Sequence, residues 1–199
     1  MTHCPKSTPT FTGRENVLAE LTDFFSEALL SEETERTEKI FLLYGLGGAG
    51  KTQTALEFVR RFKSRFMKIF FITTESENSI QVSYFDIALS NGIAAQNWEA
   101  GLDWLHIHEE NWLIIIDNAD DPKIPFSEYI PSCDHGNIIV TSRNAELQII
   151  IDKCQELQSL TPIEGDQLLL KHAMRNSMTE SQEEMAAKIA KELHYFPLA

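Results

Sequence analysis

Two kinds of apolar spacing take turns along this chain. Val17, Leu18, Leu21, Phe24, Phe25, Ala28 and Leu29 recur at three- and four-residue steps, the period of a helix with one buried face. Thr12-Gly13-Arg14-Glu15 ahead of them fits a capping box, with Thr12 as N-cap and Glu15 reaching back. An unbroken apolar run follows at Ile40-Phe41-Leu42-Leu43-Tyr44, and helical spacing returns in Ala55, Leu56, Phe58, Val59 and Phe62. Residues 67–73 are a second run, rich in Ile and Phe, which predicts a strand. Residues 75–91 and 97–109 have helical spacing, with Gly92 as the stop between them. A third run, Trp112-Leu113-Ile114-Ile115-Ile116, closes on Asp117; residues 137–141 are a fourth, and 154–158 a short fifth. Residues 163–175 and 181–194 again read as helices, and Pro197 punctuates the second. The remainder reads as connection: a lead-in over 1–10 with two prolines, an acidic stretch over 31–38, and a loop over 118–131.

Strands that are continuous apolar runs, rather than alternations, are buried on both faces. Their succession with helices is the mark of a parallel sheet sandwiched between helical layers, an α/β fold of three layers. Ligands of such sheets sit beyond the carboxyl ends of the strands. Gly45, Asp117 and Arg143 each stand at such an end, so three strand ends are expected to converge on one site.

The turn after the first run carries the chemistry. Gly45-Leu46-Gly47-Gly48-Ala49-Gly50-Lys51-Thr52 fits G-x-x-x-x-G-K-[ST], a phosphate-binding loop, and it has the strand before it and the helix after it that the motif requires. Glycines let backbone N–H groups close around phosphate oxygens, and the following helix adds the positive end of its dipole. Lys51 is expected to reach the β and γ phosphates and the Thr52 hydroxyl to ligate Mg²⁺. Asp117 is the expected partner of that metal, the alternative being a turn-capping aspartate. Arg143, closing Ile138-Ile139-Val140-Thr141-Ser142, is placed to touch the γ phosphate; otherwise it is a surface arginine in a weak ion pair. Lys51, Asp117 and Arg143 are the candidate catalytic residues. Asn118 stands where many ATPases carry a second acid, and an amide cannot accept the proton of an attacking water, which predicts slow or absent hydrolysis. Asp120 and Asp121 are the nearby carboxylates that could substitute. No Asn-Lys-x-Asp segment occurs, so adenine is the default base.

Composition narrows the partners. A formal net charge of −13 argues against a nucleic-acid surface. The one basic cluster, Arg60-Arg61-Phe62-Lys63-Ser64-Arg65, falls where cations complement a helix C-terminus. Cys4, Cys133 and Cys154 are too scattered for a disulfide framework or a zinc cluster, and such thiols suit a reducing, cytoplasmic setting. His106 and His108 are two apart and read as surface or rim residues. No apolar run approaches the roughly 20 residues of a membrane helix.

Taken in order, Phe11-Thr12-Gly13-Arg14-Glu15, the phosphate loop, residues 113–120, residues 138–143 and Tyr195-Phe196-Pro197-Leu198-Ala199 resemble the NB-ARC domain of STAND P-loop NTPases. The wording is nearest to fungal and bacterial members that carry TPR repeats. The resemblance implies a nucleotide-binding domain over 11–160 and the start of a helical subdomain over 161–199. It implies ATP or ADP with Mg²⁺ as cofactor. Phe11, Thr12 and Arg14 would line the adenine pocket, Gly47, Gly48, Ala49, Gly50, Lys51 and Thr52 would hold the phosphates, and Gly45 and Gln53 would belong to the same cofactor site. Thr52 and Asp117 would serve the metal, Arg143 would act as the sensor, and Pro197 would pack on the nucleotide. It also implies a signalling switch, self-associating through this domain in a longer protein, with innate immunity and heterokaryon incompatibility as settings. Relatives continue into a winged-helix domain whose histidine clamps ADP, so a longer form is expected to hold ADP more tightly. Two departures stand out: Tyr195-Phe196 replace the usual Gly-Leu before the proline, and Asn118 replaces the frequent acid. A working P-loop kinase or AAA-type motor, and a scaffold that has lost its nucleotide, remain the alternatives.

Overall fold

The computed structural model describes residues 4–26, 39–151, 153–173 and 180–197. The acidic stretch 31–38, the end of the first helical pattern at Ala28 and Leu29, and the terminal Leu198-Ala199 lie outside them. The elements run α1 (Glu15–Ser26), β1 (Lys39–Tyr44), α2 (Lys51–Phe62), β2 (Lys68–Thr73), α3 (Glu77–Ser90), α4 (Glu99–Ile107), β3 (Trp112–Asp117), β4 (Asn137–Ser142), β5 (Lys153–Glu156), α5 (Pro162–His172) and α6 (Glu180–Glu192).

All five strands pair in parallel, in the order β2-β3-β4-β1-β5. The registers align their carboxyl ends: Tyr44 lies beside Ser142 and Glu156, and Thr73 lies beside Asp117. Alternate residues of the inner strands feed two separate cores. Phe41, Leu43, Leu113, Ile115 and Ile139 pack with Val17, Leu21, Phe25, Leu56 and Phe58 of α1 and α2. Leu42, Ile114, Ile116, Ile138 and Val140 pack with Ile80, Tyr84, Ile87, Trp104 and Leu105 of α3 and α4. Each such fully buried side chain contributes about 1.5–3 kcal/mol through burial. The three-layer α/β sandwich read from the apolar runs is therefore the fold observed.

One local expectation is corrected. Thr12 does not cap α1. Gly13 and Arg14 both take positive φ, 73° and 64°, so the chain turns left-handed just ahead of the helix and carries Thr12 away from its first turn. The Thr12 hydroxyl donates to the Thr10 carbonyl at 2.8 Å. The cap comes from far along the chain: Glu164 Oε1, on α5, accepts the Arg14 N–H at 2.8 Å. A Cβ at Gly13 would lie 2.2 Å from that oxygen, so a side chain there would push Glu164 off the cap. The other oxygen of Glu164 closes a genuine capping box with Thr161 at the start of α5.

The lead-in is irregular but tied down. Thr8 N–H donates to Gln53 Oε1 at 2.8 Å, and the Ser7 hydroxyl donates to Glu57 at 2.9 Å. The basic cluster is spent locally: Arg60 and Arg61 both donate to Glu57, and Arg61 also grips Glu15 at 2.6 Å. Of the two histidines in the 106–108 segment, His106 is exposed and His108 stacks on Trp104 with centroids 4.2 Å apart.

Candidate functional site

Beyond the carboxyl ends of β1, β3 and β4 lies a cleft of about 650 Å³. Its floor is the phosphate loop. Gly48 and Gly50 hold φ of 85° and 91°, a conformation only glycine adopts without strain, and this curls the loop so that its residues line the cleft from Gly47 to Thr52. Gly50 is the N-cap of α2 and offers no side-chain cap, and the first turn carries no acid. The positive end of α2 therefore opens into the cleft with neither a side-chain cap nor a first-turn acid. That is the arrangement a polyphosphate fits.

The side chains around the loop are mutually engaged. Lys51 Nζ donates to the Gly45 and Leu46 carbonyls at 2.8 and 2.9 Å. Burial lowers its pKa, Asp120 and Asp117 counter this, and Arg143 adds to it. The Thr52 hydroxyl donates to Asp117 Oδ1 at 2.6 Å, and the Thr141 hydroxyl donates to the same oxygen at 2.7 Å. Thr52 thus keeps its oxygen lone pairs for a cation while its O–H points at Asp117. The pair fits Mg²⁺, which keeps several waters and takes few protein oxygens rather than an all-protein cage. A bound Mg²⁺ would neutralise charge on the β and γ phosphates.

Asn118 takes φ of 65°, which Asn tolerates better than most side-chain-bearing residues, and its N–H donates to the Thr141 hydroxyl. The chain doubles back there, with Asp120 N–H on the Asn118 carbonyl at 2.7 Å. The turn delivers the Asp120 carboxylate to Arg143: the backbone N–H of Arg143 donates to Oδ1 at 2.6 Å and its Nε to Oδ2 at 2.5 Å. Burial pushes the Asp120 carboxyl up, and the hydrogen bonds from Arg143 outweigh it, holding the group below the usual carboxylate range. Asp121 Oδ1 is engaged by the Lys123 N–H. Of the two carboxylates that could substitute for the missing acid, Asp120 is thus engaged through both oxygens and exposed Asp121 through one.

The opposite wall comes from three distant segments. Phe11, Thr12 and Arg14, just ahead of α1, line the cleft with Leu160 just before α5, Leu168 and His172 of α5, and Pro197 beyond α6. Arg14 is buried, and its guanidinium donates to the Ala49 carbonyl of the loop at 3.1 Å and to the Gln158 carbonyl. Burial lowers its pKa and Glu164 opposes that. The Thr10 hydroxyl meets His172 Nε2 at 3.0 Å, and Lys171 Nζ donates to the Phe11 carbonyl at 2.9 Å. Pro197 lies over the loop, its Cγ 4.0 Å from where a Gly50 Cβ would stand.

The cleft therefore gathers Phe11, Thr12, Arg14, Gly47, Gly48, Ala49, Gly50, Lys51, Thr52, Gln53, Arg143 and Pro197 from the sequence reading. Asp117 reaches it through Thr52. Gly45 stands apart: its Cβ position abuts the Leu157 carbonyl at 2.5 Å, so it is a close-packing glycine beneath the loop, not part of the lining. Leu160, Leu168 and His172 were missed. Of these only Leu168 carries a signal, its place in the helical period of 163–175.

No family model matches the chain. A Hyaloscypha variabilis protein described as a nucleotide-binding leucine-rich repeat (NLR)-like protein is 27% identical over 217 residues, covering 95% of this chain and 21% of that protein. The chain thus spans about a fifth of this curated relative. Among solved structures, the Aeropyrum pernix ORC2 protein, solved as ADPNP–ADP complexes, superposes with a TM-score of 0.63 at 16% identity, over 97% of this chain and 67% of that one. The fold is that of the P-loop ATPases. A Signal Transduction ATPase with Numerous Domains (STAND) protein with a tetratricopeptide repeat sensor, from Pyrococcus horikoshii, superposes with a TM-score of 0.59 at 19% identity, over 97% of this chain and 29% of that one. The Aeropyrum pernix ORC1 protein, solved in complex with DNA, gives 0.62 at 17%, over 95% of this chain and 56% of that one. This P-loop ATPase fold and the NLR-like relative agree with the resemblance carried by the motifs. No helix among the described residues is long and apolar enough to cross a membrane.

Proposed function

We propose that this chain is the nucleotide-operated switch module of an NB-ARC, STAND-type signalling protein, binding ATP or ADP with Mg²⁺ and hydrolysing ATP slowly. The observation that carries the reading is that one cleft is walled on one side by the phosphate loop and on the other by Leu168 and His172 of α5 and by Pro197, beyond the end of α6. A nucleotide lying there contacts both, so its terminal phosphate can bias how the helices sit against the sheet. Differential contact with two states is what a switch requires. In this reading Lys51 and the amides at the N-terminus of α2 bind the phosphates, Thr52 and Asp117 hold the metal, Arg143 reads the γ phosphate, and residues 161–199 are the moving part. Asn118 is an amide, and Asp120 and Asp121 each hold a turn, which supports slow hydrolysis. The output is self-association of a longer cytoplasmic protein, in innate immunity or heterokaryon incompatibility. The acidic charge of −13 supports no role for nucleic acid, although one structural neighbour was solved with DNA.

The test is titration of a fluorescent ATP analogue and of ADP, each with Mg²⁺, into wild type and Lys51→Ala. Tight binding lost in the variant supports the reading, and no binding by wild type ends it. Phosphate release then separates the switch from a working ATPase, the reading that the ORC-like fold favours. Turnover above about 1 s⁻¹ belongs to the latter.

A further inference from the structure

Arg143 is an exposed arginine with an unusually well-built support. Its side chain is 61% exposed, whereas that of its partner Asp120 is only 13% exposed. The carboxylate is anchored before it meets the guanidinium. The Ser142 hydroxyl donates to the Ala119 carbonyl at 2.5 Å, which fastens the turn after β3 to the end of β4. The carboxylate then spends one oxygen on the Arg143 backbone and the other on Nε. Gripping Nε leaves both terminal nitrogens free of Asp120 and fixes which way they project. They project over the loop: Arg143 Cδ is 3.4 Å, and one terminal nitrogen 3.9 Å, from the place a Gly47 Cβ would occupy. An ordinary exposed ion pair contributes little because two flexible chains must be ordered to make it. Here the acid is already ordered by its turn, so the entropy of fixing the arginine is met in the empty protein and not at the moment of binding.

We propose that Asp120 is a positioning residue that aims Arg143 at the terminal phosphate and so sets the preference for triphosphate over diphosphate. This rests on the reading of Arg143 as the γ-phosphate sensor. Asp120 does not touch nucleotide. It acts through the arginine, and its charge is offset by the guanidinium it holds. Asparagine cannot replace it, since two donors arrive at two different oxygens and an amide has only one acceptor.

The test is calorimetric titration with a non-hydrolysable ATP analogue and with ADP, each with Mg²⁺, on wild type, Asp120→Asn, Asp120→Ala, Arg143→Ala and the Asp120→Ala/Arg143→Ala double variant. The readout is the ratio of the two affinities. Both Asp120 variants are expected to lower the analogue-over-ADP preference roughly five- to tenfold, to the level of Arg143→Ala, with ADP affinity within about twofold of wild type. Adding Asp120→Ala to Arg143→Ala is expected to leave the ratio where it was. Retained ADP binding reports that each variant is folded. If Arg143→Ala lowers the ratio and the Asp120 variants do not, the positioning role is overturned and the sensor reading stands. A raised ratio in Asp120→Ala makes the carboxylate a competitor for the arginine and overturns it too. A parallel loss of both nucleotides reduces Asp120 to loop support. If Arg143→Ala itself leaves the ratio unchanged, the sensor reading falls and this proposal with it.

Discussion

The two walls of the cleft are built in different ways. The phosphate-side wall is one contiguous octapeptide plus the ends of two strands, and its geometry comes from backbone: positive-φ glycines, an uncapped helix and carbonyls that park Lys51. The opposite wall is assembled from side chains that are more than a hundred residues apart, joined by Glu164 to Arg14, His172 to Thr10 and Lys171 to Phe11. The first wall is rigid because it is local and grafted on a buried sheet. The second is joined by long-range side-chain contacts, several of them exposed or half-buried, beside the packing of Phe11 and Phe196 on the core. On the proposed reading, a switch that holds phosphate in both states and changes shape with the number of phosphates has reason to separate these properties.

The largest expected effect falls on the rigid wall. Lys51→Ala removes the charged donor of the loop while its two carbonyl partners, Gly45 and Leu46, can turn to water. Affinity for ATP, ADP and inorganic pyrophosphate is expected to drop together by roughly a hundredfold, the scale of losing charged hydrogen bonds, with little change in the thermal midpoint. If the midpoint collapses as well, the lysine is structural and the contrast between the walls fails.

Next comes the anchor of the lead-in. Glu57 is nearly buried, and the hydrogen bond from Arg60, opposed by burial and helped by Arg61 and Ser7, holds its carboxyl at about 2 rather than 4.5. A folded value below the unfolded one contributes stability that is fully present above pH 4.5 and is lost as pH falls toward 2. The contribution is on the order of 3 kcal/mol. Glu57→Gln should therefore be less stable than wild type at neutral pH by urea unfolding, and the gap should close between pH 4.5 and 2. A gap that persists unchanged at pH 2 would show that the carboxylate's charge is not what ties Ser7 to α2.

How much of each wall could be read from the sequence follows the same division. The loop, Asp117 and Arg143 are legible because each ends an apolar run or fills a fixed-spacing motif. The strand order is not, since parallel neighbours such as β1 and β4 are about a hundred residues apart and nothing local encodes their pairing. Thr12-Gly13-Arg14-Glu15 has the letters of a capping box, but two left-handed residues inside it break the geometry. The real box, Thr161-Pro162-Ile163-Glu164, has the same letters with proline at the first helical position, a signal that was available and stronger. Asp120 could not be assigned because its partner lies 23 residues away across a turn whose direction depends on Asn118 being left-handed.

Glu164→Ala probes the seam between the walls. It unmakes the α5 capping box and leaves the Arg14 N–H without its acceptor, a loss of about 2 kcal/mol if the two terms add. Chemical denaturation should register that loss. Hydrogen exchange should rise at Arg14 and in the first turn of α5 while the strands of the sheet remain protected. Equal exchange gains in β1 and β4 would mean that the C-terminal helices and the sheet open as one unit, and that the contrast is only apparent.

The smallest expected effect separates the walls most cleanly. Leu168 lines the cleft from α5 together with Phe11 and Leu160, and it is only half-buried. Leu168→Ala removes apolar contact worth about 1 kcal/mol, a roughly fivefold change in affinity. Because Leu168 shares its wall with no phosphate-binding group, that fivefold loss should be equal for ATP and ADP and absent for inorganic pyrophosphate. A parallel loss of pyrophosphate binding would mean that loosening α5 also deforms the loop. In that case the coupling between helices and phosphates would run through the body of the protein, and the nucleotide would not need to bridge the two walls to throw the switch.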